Sequence, residues 1–195
     1  MLIVIGGQSR SVGKTSVVAG LIAALPQYRW TAFKISPHRH GDDHGKGWTI
    51  CGEADPTGDS DTSRFLAAGA VNTWWIRAEP ENLAEAVPTI QKKIAEAQNA
   101  IIESNSILRF INPDLYLVIL DPSLADFKKS AAEFLDRADA FIIRERNEQE
   151  ITAGWREISA GLAKPVFGIR PPRYITPEIV QFVREKLRAL NPRLA

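Results

Sequence analysis

The first fifteen residues constrain the fold more than any other part of the chain. Leu2-Ile3-Val4-Ile5 is a short apolar run that breaks at Gly6-Gly7-Gln8-Ser9-Arg10-Ser11-Val12-Gly13-Lys14-Thr15, and a helical pattern follows from Lys14 to Leu25. A buried strand, a glycine-rich turn and a helix, in that order, form the context of a phosphate-binding loop of the Walker A kind. The chemistry follows from the backbone. Gly13 lacks a Cβ and lets the chain close tightly around phosphate oxygens. Successive N–H groups of residues Gly7, Gln8, Ser9, Arg10, Ser11, Val12, Gly13, Lys14, Thr15 and Ser16, with the positive end of the helix dipole, point at one anion. Lys14 suits the β- and γ-phosphates, and the Thr15 hydroxyl suits Mg²⁺. Five residues separate Gly7 from Gly13, one more than the usual spacing, which predicts a loop longer by one residue.

The rest of the 195 residues alternates apolar runs with helical patterns. That alternation predicts an α/β fold with a mainly parallel central sheet flanked by helices; with the glycine loop, the reading is a three-layer P-loop NTPase fold, one nucleotide-binding domain over 1–195. Strands are expected at Leu2–Ile5, Trp30–Ile35, Asn72–Ile76, Ala100–Glu103, Leu115–Leu120, Ala140–Ile143 and Pro165–Ile169. Helices are expected at Lys14–Leu25, Thr62–Ala68, Glu81–Ala97, Ser130–Ala138, Gln149–Leu162 and Pro177–Leu190, with Pro88 kinking or splitting the third. Tyr116-Leu117-Val118-Ile119-Leu120 is apolar on both faces, as strands covered from both sides are. Ser36 to Asp61, rich in Gly, Asp, Pro and His, has little periodicity and is expected to be a functional loop at the edge where open α/β sheets bind ligands.

A net charge of +1 gives no reason to expect nucleic acid or a membrane surface as a partner. The single cysteine, Cys51, excludes an intrachain disulfide and suits a reducing compartment. No apolar run is long enough to span a bilayer, and the apolar N-terminal stretch lacks the basic region of a signal peptide. A cytoplasmic location is the expectation.

Beyond the glycine loop, three clusters carry chemistry. Glu103 closes the apolar run Ala100-Ile101-Ile102, where phosphate-loop enzymes place a second, magnesium-linked carboxylate; the alternative is a glutamate capping the next helix by its charge. His38, His40 and His44, all the histidines of the chain, lie within seven positions beside Asp42 and Asp43. Such a set ligates a transition metal, contacts an acidic or phosphorylated second substrate, or is a solvated polar loop; Cys51 can complete a metal site or be a small core residue. In Asp59-Ser60-Asp61-Thr62-Ser63-Arg64, Ser60 or Asp61 can cap a helix, or Asp59 or Asp61 contacts magnesium or substrate while Arg64 faces the phosphates.

Other polar segments carry less. Arg144-Glu145-Arg146-Asn147 follows a predicted strand but lacks Asn-Lys-x-Asp, so guanine is not specified and a solvated charge run is expected, with Asn147 a low-grade base contact. Arg170-Pro171-Pro172-Arg173 is expected to be a stiff surface turn. Five scattered tryptophans, among them Trp74-Trp75, suit core packing or an interface.

The loop Gly-x5-Gly-Lys-Thr, with Val12 before Gly13, resembles that of dethiobiotin synthetase and its relatives; Arg10 stands where many of those relatives carry a further lysine. The chain is more similar to the MobB family, accessory proteins of molybdopterin guanine dinucleotide biosynthesis. That similarity is carried by Lys34 with His38 and His40, by Asp61-Thr62-Ser63-Arg64 leading into Ala68-Gly69-Ala70, and by Ile101-Ile102-Glu103. The residues themselves read as a triphosphate site for GTP or ATP, with slow hydrolysis organised by Lys14 and Glu103, metal contacts at Thr15, Glu103 and Asp61, and a second substrate at Lys34, His38, His40 and Arg64; the similarity covers roughly 1–145 and implies GTP with Mg²⁺. It also implies a homodimer working with a small molecule or a cofactor-biosynthesis protein. Two alternatives stand beside it: an ATP-dependent ligase like dethiobiotin synthetase, in which Lys34 contacts a carboxylate, and a non-enzymatic nucleotide switch or metal-delivery module.

Overall fold

The computed structural model describes residues 1–37, 47–124, 128–145 and 164–190. The strands are β1 (Leu2–Gly7), β2 (Trp30–Ser36), β3 (Trp48–Glu53), β4 (Asn72–Ala78), β5 (Asn99–Glu103), β6 (Leu115–Leu120), β7 (Ala140–Arg144) and β8 (Val166–Ile169). The helices are α1 (Lys14–Ala24), α2 (Asp61–Ala67), α3 (Leu83–Ala95), α4 (Lys129–Ala132) and α5 (Pro177–Leu190). The strands form one sheet in the order β3-β4-β2-β5-β1-β6-β7-β8. Every neighbouring pair is parallel except β3–β4.

Both faces of this sheet are covered, as parallel sheets require. Side chains alternate along β1: Ile3 and Ile5 enter one core with Val17, Val18, Leu21 and Ile22 of α1, Phe65 of α2, and Ile179, Val183 and Leu187 of α5. Leu2 and Val4 enter the other, with Leu83, Ala86, Val87 and Ile90 of α3 and Ile107 and Leu108 of a 3-10 turn. Gly20 lets α1 lie against the segment before α5, because a Cβ there would be 2.4 Å from Ile175 Cγ1. From β1 the chain passes to β2 on one side of the sheet, and after β5 it crosses to β6 on the other. The C-terminal edge of β1 is therefore where the order reverses, the position at which such sheets hold ligands.

The expected α/β architecture is observed, and the expected strands match to within two residues. Three expectations change. The segment Ser36 to Asp61 is not a loop throughout, because Trp48–Glu53 pairs antiparallel with β4, Ile50 opposite Ile76 and Cys51 opposite Trp75. This edge strand depends on a partner distant in sequence and has little signal of its own. Pro88 does not split its helix: α3 runs from Leu83 to Ala95 with Pro88 in its second turn, where a proline forfeits one N–H bond to the carbonyl four residues before. The helix expected at Ser130–Ala138 is a four-residue α4 followed by a 3-10 turn, Leu135–Arg137, with Phe134 outside helical geometry between them. The helix expected at Gln149–Leu162 lies outside the described residues.

Candidate functional site

The loop begins one residue later than the glycine spacing implies. Gly7 is still a strand residue, in register with Ile119 of β6, and the Gln8 N–H donates to the Ile119 carbonyl at 2.9 Å. Gln8 is held on every side: its Nε2 donates to the Leu124 carbonyl at 2.7 Å, its Oε1 accepts from Asp121 N–H at 2.9 Å, and its carbonyl accepts from Lys128 N–H at 2.9 Å. Its side chain is thus turned into the protein. Ser9 to Val12 remain to span the distance to Gly13, and the additional residue, Gln8, directly follows β1 and is tied to β6 by its N–H. On the other flank of β1, the Asn105 amide accepts from Gly7 N–H and donates to the Gly7 carbonyl, both at 2.8 Å.

The loop closes over a buried Val12 and turns through Ser11 (φ 59°) and Gly13 (φ 109°) into α1. Gly13 is required twice over: its φ is left-handed, and a Cβ would lie 2.5 Å from the Tyr174 ring. No side chain caps α1 and no acidic residue stands in its first turn, so its N-terminal N–H groups face the loop with their partial positive charge. Lys14 curls back across the loop, its Nζ donating to the Ser9 carbonyl at 2.6 Å. Burial pulls the Lys14 ammonium down from 10.5 to about 8; Lys128 and Lys34 add to the drop, while Glu103 and Asp61 oppose it. Arg10 and Ser11 are exposed at the loop's tip.

Opposite Lys14, three elements deliver an ionic cluster. Glu103, at the end of β5 and 2% exposed, accepts from the Thr15 hydroxyl at 2.8 Å and pairs with the Lys34 ammonium from β2. Lys34 also contacts Asp61 at 2.8 Å. Burial works to raise the Asp61 carboxyl, but hydrogen bonds from Lys34 and Thr15 and the charges of Lys34 and Arg64 together hold it below its ordinary value. Arg64, half exposed, donates to the Ser16 hydroxyl at 3.1 Å and lies 3.9 Å from Asp61. The structure also separates two roles that the sequence left open. Ser60 caps α2 by accepting from Ser63 N–H at 2.9 Å, which leaves Asp61 for the cluster. The turn after β5 is started by Ser104, whose hydroxyl accepts from Ile107 N–H, while the Glu103 oxygens are engaged by Thr15 and Lys34. A hydroxyl beside two carboxylates is a hard-oxygen donor set of the kind Mg²⁺ takes.

A strand-end loop wrapped around a lysine, opening a helix at the point where a parallel sheet reverses its order, decides the fold. This is the P-loop NTPase fold. Neither a known family model nor a curated protein sequence matches the chain. Solved structures do. HypB from Helicobacter pylori in complex with nickel superposes with a TM-score of 0.56 at 16% identity, over 97% of this chain and 87% of that one. The signal recognition particle 54 kDa protein from Aeropyrum pernix K1 in complex with GDP gives 0.54 at 14% identity, over 99% and 48%. LpxK from Aquifex aeolicus in complex with ATP gives 0.49 at 19% identity, over 86% and 53%. The chain thus spans about half the length of the last two.

On the far side of the P-loop, polar residues expected to be solvated are engaged. Arg144 lies 3.7 Å from the buried Asp121, and Glu145 accepts from Arg170 Nε at 2.9 Å. The charge run therefore faces inward at its first two positions, because β7 ends beside β6 and β8 rather than in solvent. The turn at Arg170–Arg173 is exposed at both arginines as expected, yet it carries Tyr174 onto Gly13. Sequence reasoning missed Asn105, Gln8's inward side chain and Tyr174. The packing at Asn105 accounts for the glycine at position 6: a Cβ on Gly6 would lie 2.4 Å from Asn105 Oδ1 and 2.7 Å from the Tyr116 hydroxyl.

His38, His40 and His44, and with them Arg146 and Asn147, lie outside the described residues. Among the described residues no group of three or more His, Cys, Asp and Glu side chains is arranged to hold a metal ion, and Cys51 is an exposed free thiol on the edge strand. No described helix is long and apolar enough to cross a membrane. Trp74 packs against the α3 core, whereas Trp75 donates to the Ser36 hydroxyl at 2.8 Å with Arg77 over its ring.

Proposed function

We propose that the chain binds a purine nucleoside triphosphate with Mg²⁺ and turns it over slowly, coupled to a second substrate or protein. The observation that carries this reading is the convergence of the Thr15 hydroxyl and the Lys34 ammonium on Glu103, directly across from the desolvated Lys14. Backbone N–H groups from Ser9 to Ser16 would hold the phosphates, and Lys14 would meet the β/γ oxygens. An ammonium already stripped of much of its water exerts more force on a phosphate than one in solvent. Thr15, Glu103 and Asp61 are the residues that would hold Mg²⁺, which when bound neutralises charge on the phosphoryl oxygens. Lys34 fixes the orientation of both carboxylates. Positioning and charge stabilisation would supply most of the rate, as phosphoryl transfer requires.

Within that class we favour a MobB-like accessory role in molybdenum cofactor biosynthesis, as a homodimer. Support comes from Lys34, Asp61 and Arg64 facing the site beside Glu103, the positions on which the sequence resemblance rests. Lys34, His38, His40 and Arg64 would meet the second substrate. Calorimetric titration with ATP and with GTP, each with Mg²⁺, tests both levels. GTP preference supports the MobB-like role; ATP preference moves the reading to a ligase acting on a carboxylic acid. Binding of neither removes the nucleotide reading.

A further inference from the structure

We infer that Asn105 is a positioning residue of the phosphate site, one that sets where the loop starts. The inference rests on the nucleotide reading of that loop. Strand β5 makes its last main-chain rung to β1 through Ser104 N–H and the Ile5 carbonyl, at 3.1 Å, and then turns away into the 3-10 segment Ser106–Arg109. β1 continues past that level to Gly7. The Asn105 side chain fills the missing rung, because a primary amide presents the same donor and acceptor as a peptide group and meets both main-chain groups of Gly7 at 2.8 Å. Gly6 is bare at the place the amide occupies.

The consequence lies in the pairing of Asn105 with Glu103. These residues are two apart at the end of one strand. Asn105 ties the residue before the loop, and Glu103 ties the residue after it through the Thr15 hydroxyl. One strand end thus fixes both feet of the loop, and the distance between the feet sets how its N–H groups converge. Without Asn105 both main-chain groups of Gly7 lose their partner, and β1 is held at this level on the β6 side alone, through Gln8 N–H and the Ile119 carbonyl.

The test is Asn105→Ala and Asn105→Asp beside wild type and Lys14→Ala, each with ATP and GTP in Mg²⁺, at a temperature well below every thermal midpoint. Asn105→Ala should weaken triphosphate binding about tenfold, as the loss of two net hydrogen bonds implies, and Asn105→Asp, which loses only the donor to the Gly7 carbonyl, about fivefold. Turnover at saturation should fall by roughly tenfold to 10²-fold, the cost of a loop about 1 Å out of place. A residue that only stabilises the fold leaves the turnover of folded protein unchanged, so wild-type affinity and turnover in both variants, with Lys14→Ala inactive, overturn the inference and spare the nucleotide reading. If wild type itself binds neither nucleotide, both fall together. The isosteric Asn105→Asp keeps the acceptor for Gly7 N–H and stands in should the alanine variant not fold. Amide exchange in wild type needs no variant: protection of Gly7 comparable to Ile5 is expected, and exchange as fast as at exposed Arg10 overturns the inference.

Discussion

The two sides of the phosphate loop are held by different physics. On the side of β1, Gly7 and Gln8 are fixed by neutral hydrogen bonds to Asn105, Ile119, Asp121, Leu124 and Lys128, and Gln8 is almost wholly buried. Across the site, Lys34, Asp61, Arg64 and Glu103 meet through charge, and exposure rises from Glu103 outward to Arg64. Short neutral bonds in a buried place give a rigid frame with no dependence on salt or on what is bound. Charges can exchange partners when a cation or a phosphate arrives, and their strength falls as they near solvent. The comparison teaches a division of labour: the frame sets the geometry, and the ionic cluster can respond to the ligand.

The strongest test of that division is Lys14→Ala. Affinity for Mg²⁺ with ATP or GTP should fall by about 10²-fold, since charged hydrogen bonds contribute more than neutral ones, while the thermal midpoint stays level or rises. A buried ammonium held near 8 costs stability while charged, so its removal should not harm the fold. Parallel calorimetry and thermal melts check both halves; a collapsed midpoint would move Lys14 from the responsive side to the frame.

Glu103→Gln keeps the shape of the side chain and removes its charge. Binding should change less than about threefold and turnover should fall by about 10²-fold, measured as phosphate release at saturating nucleotide. Equal turnover would reduce Glu103 to a hydrogen-bond acceptor for Thr15.

The pH dependence follows from the sign of the Lys14 shift. The lysine is charged below about 8, so affinity should be level up to that pH and decline as pH rises through it. Above pH 8, binding should take up a proton, visible as a heat that differs between buffers of different ionisation enthalpy. For the free protein the sign is opposite: the unfolded lysine binds its proton up to about 10.5, so this group makes stability rise with pH between about 8 and 10.5.

The smallest effects belong to the rim. Ser60→Ala removes the α2 cap, should cost about 1 kcal/mol, and should lower the thermal midpoint by roughly 2–4 °C. Arg64→Ala should change affinity less than about threefold, an effect that disappears at high salt because half of its side chain is in water. A loss as large as that of Lys14→Ala would place Arg64 on the phosphates.

Much of this was legible in the sequence. The apolar runs gave strands in the right places because a parallel strand buried on both faces needs every residue to be apolar, and α1 was framed by Gly13 before it and Leu25 after it. Glu103 was legible because a charge ending such a run has few reasons to be there. Edge strand β3 was not, since Trp48–Glu53 takes its structure from β4. Asn105 was not, since an asparagine after a strand usually signals a turn, and its partner is 98 positions away.

The sequence by itself determined the class of fold and the residue types of the loop. Glycine at a left-handed position, a lysine after it and a hydroxyl next are local requirements, written in consecutive residues. Only the tertiary structure decided where that loop begins, which aspartate joins Lys34 and which residue caps α2. Those outcomes depend on side chains brought together from β1, β2, β5 and α2, and contact between distant segments leaves no pattern in either segment alone.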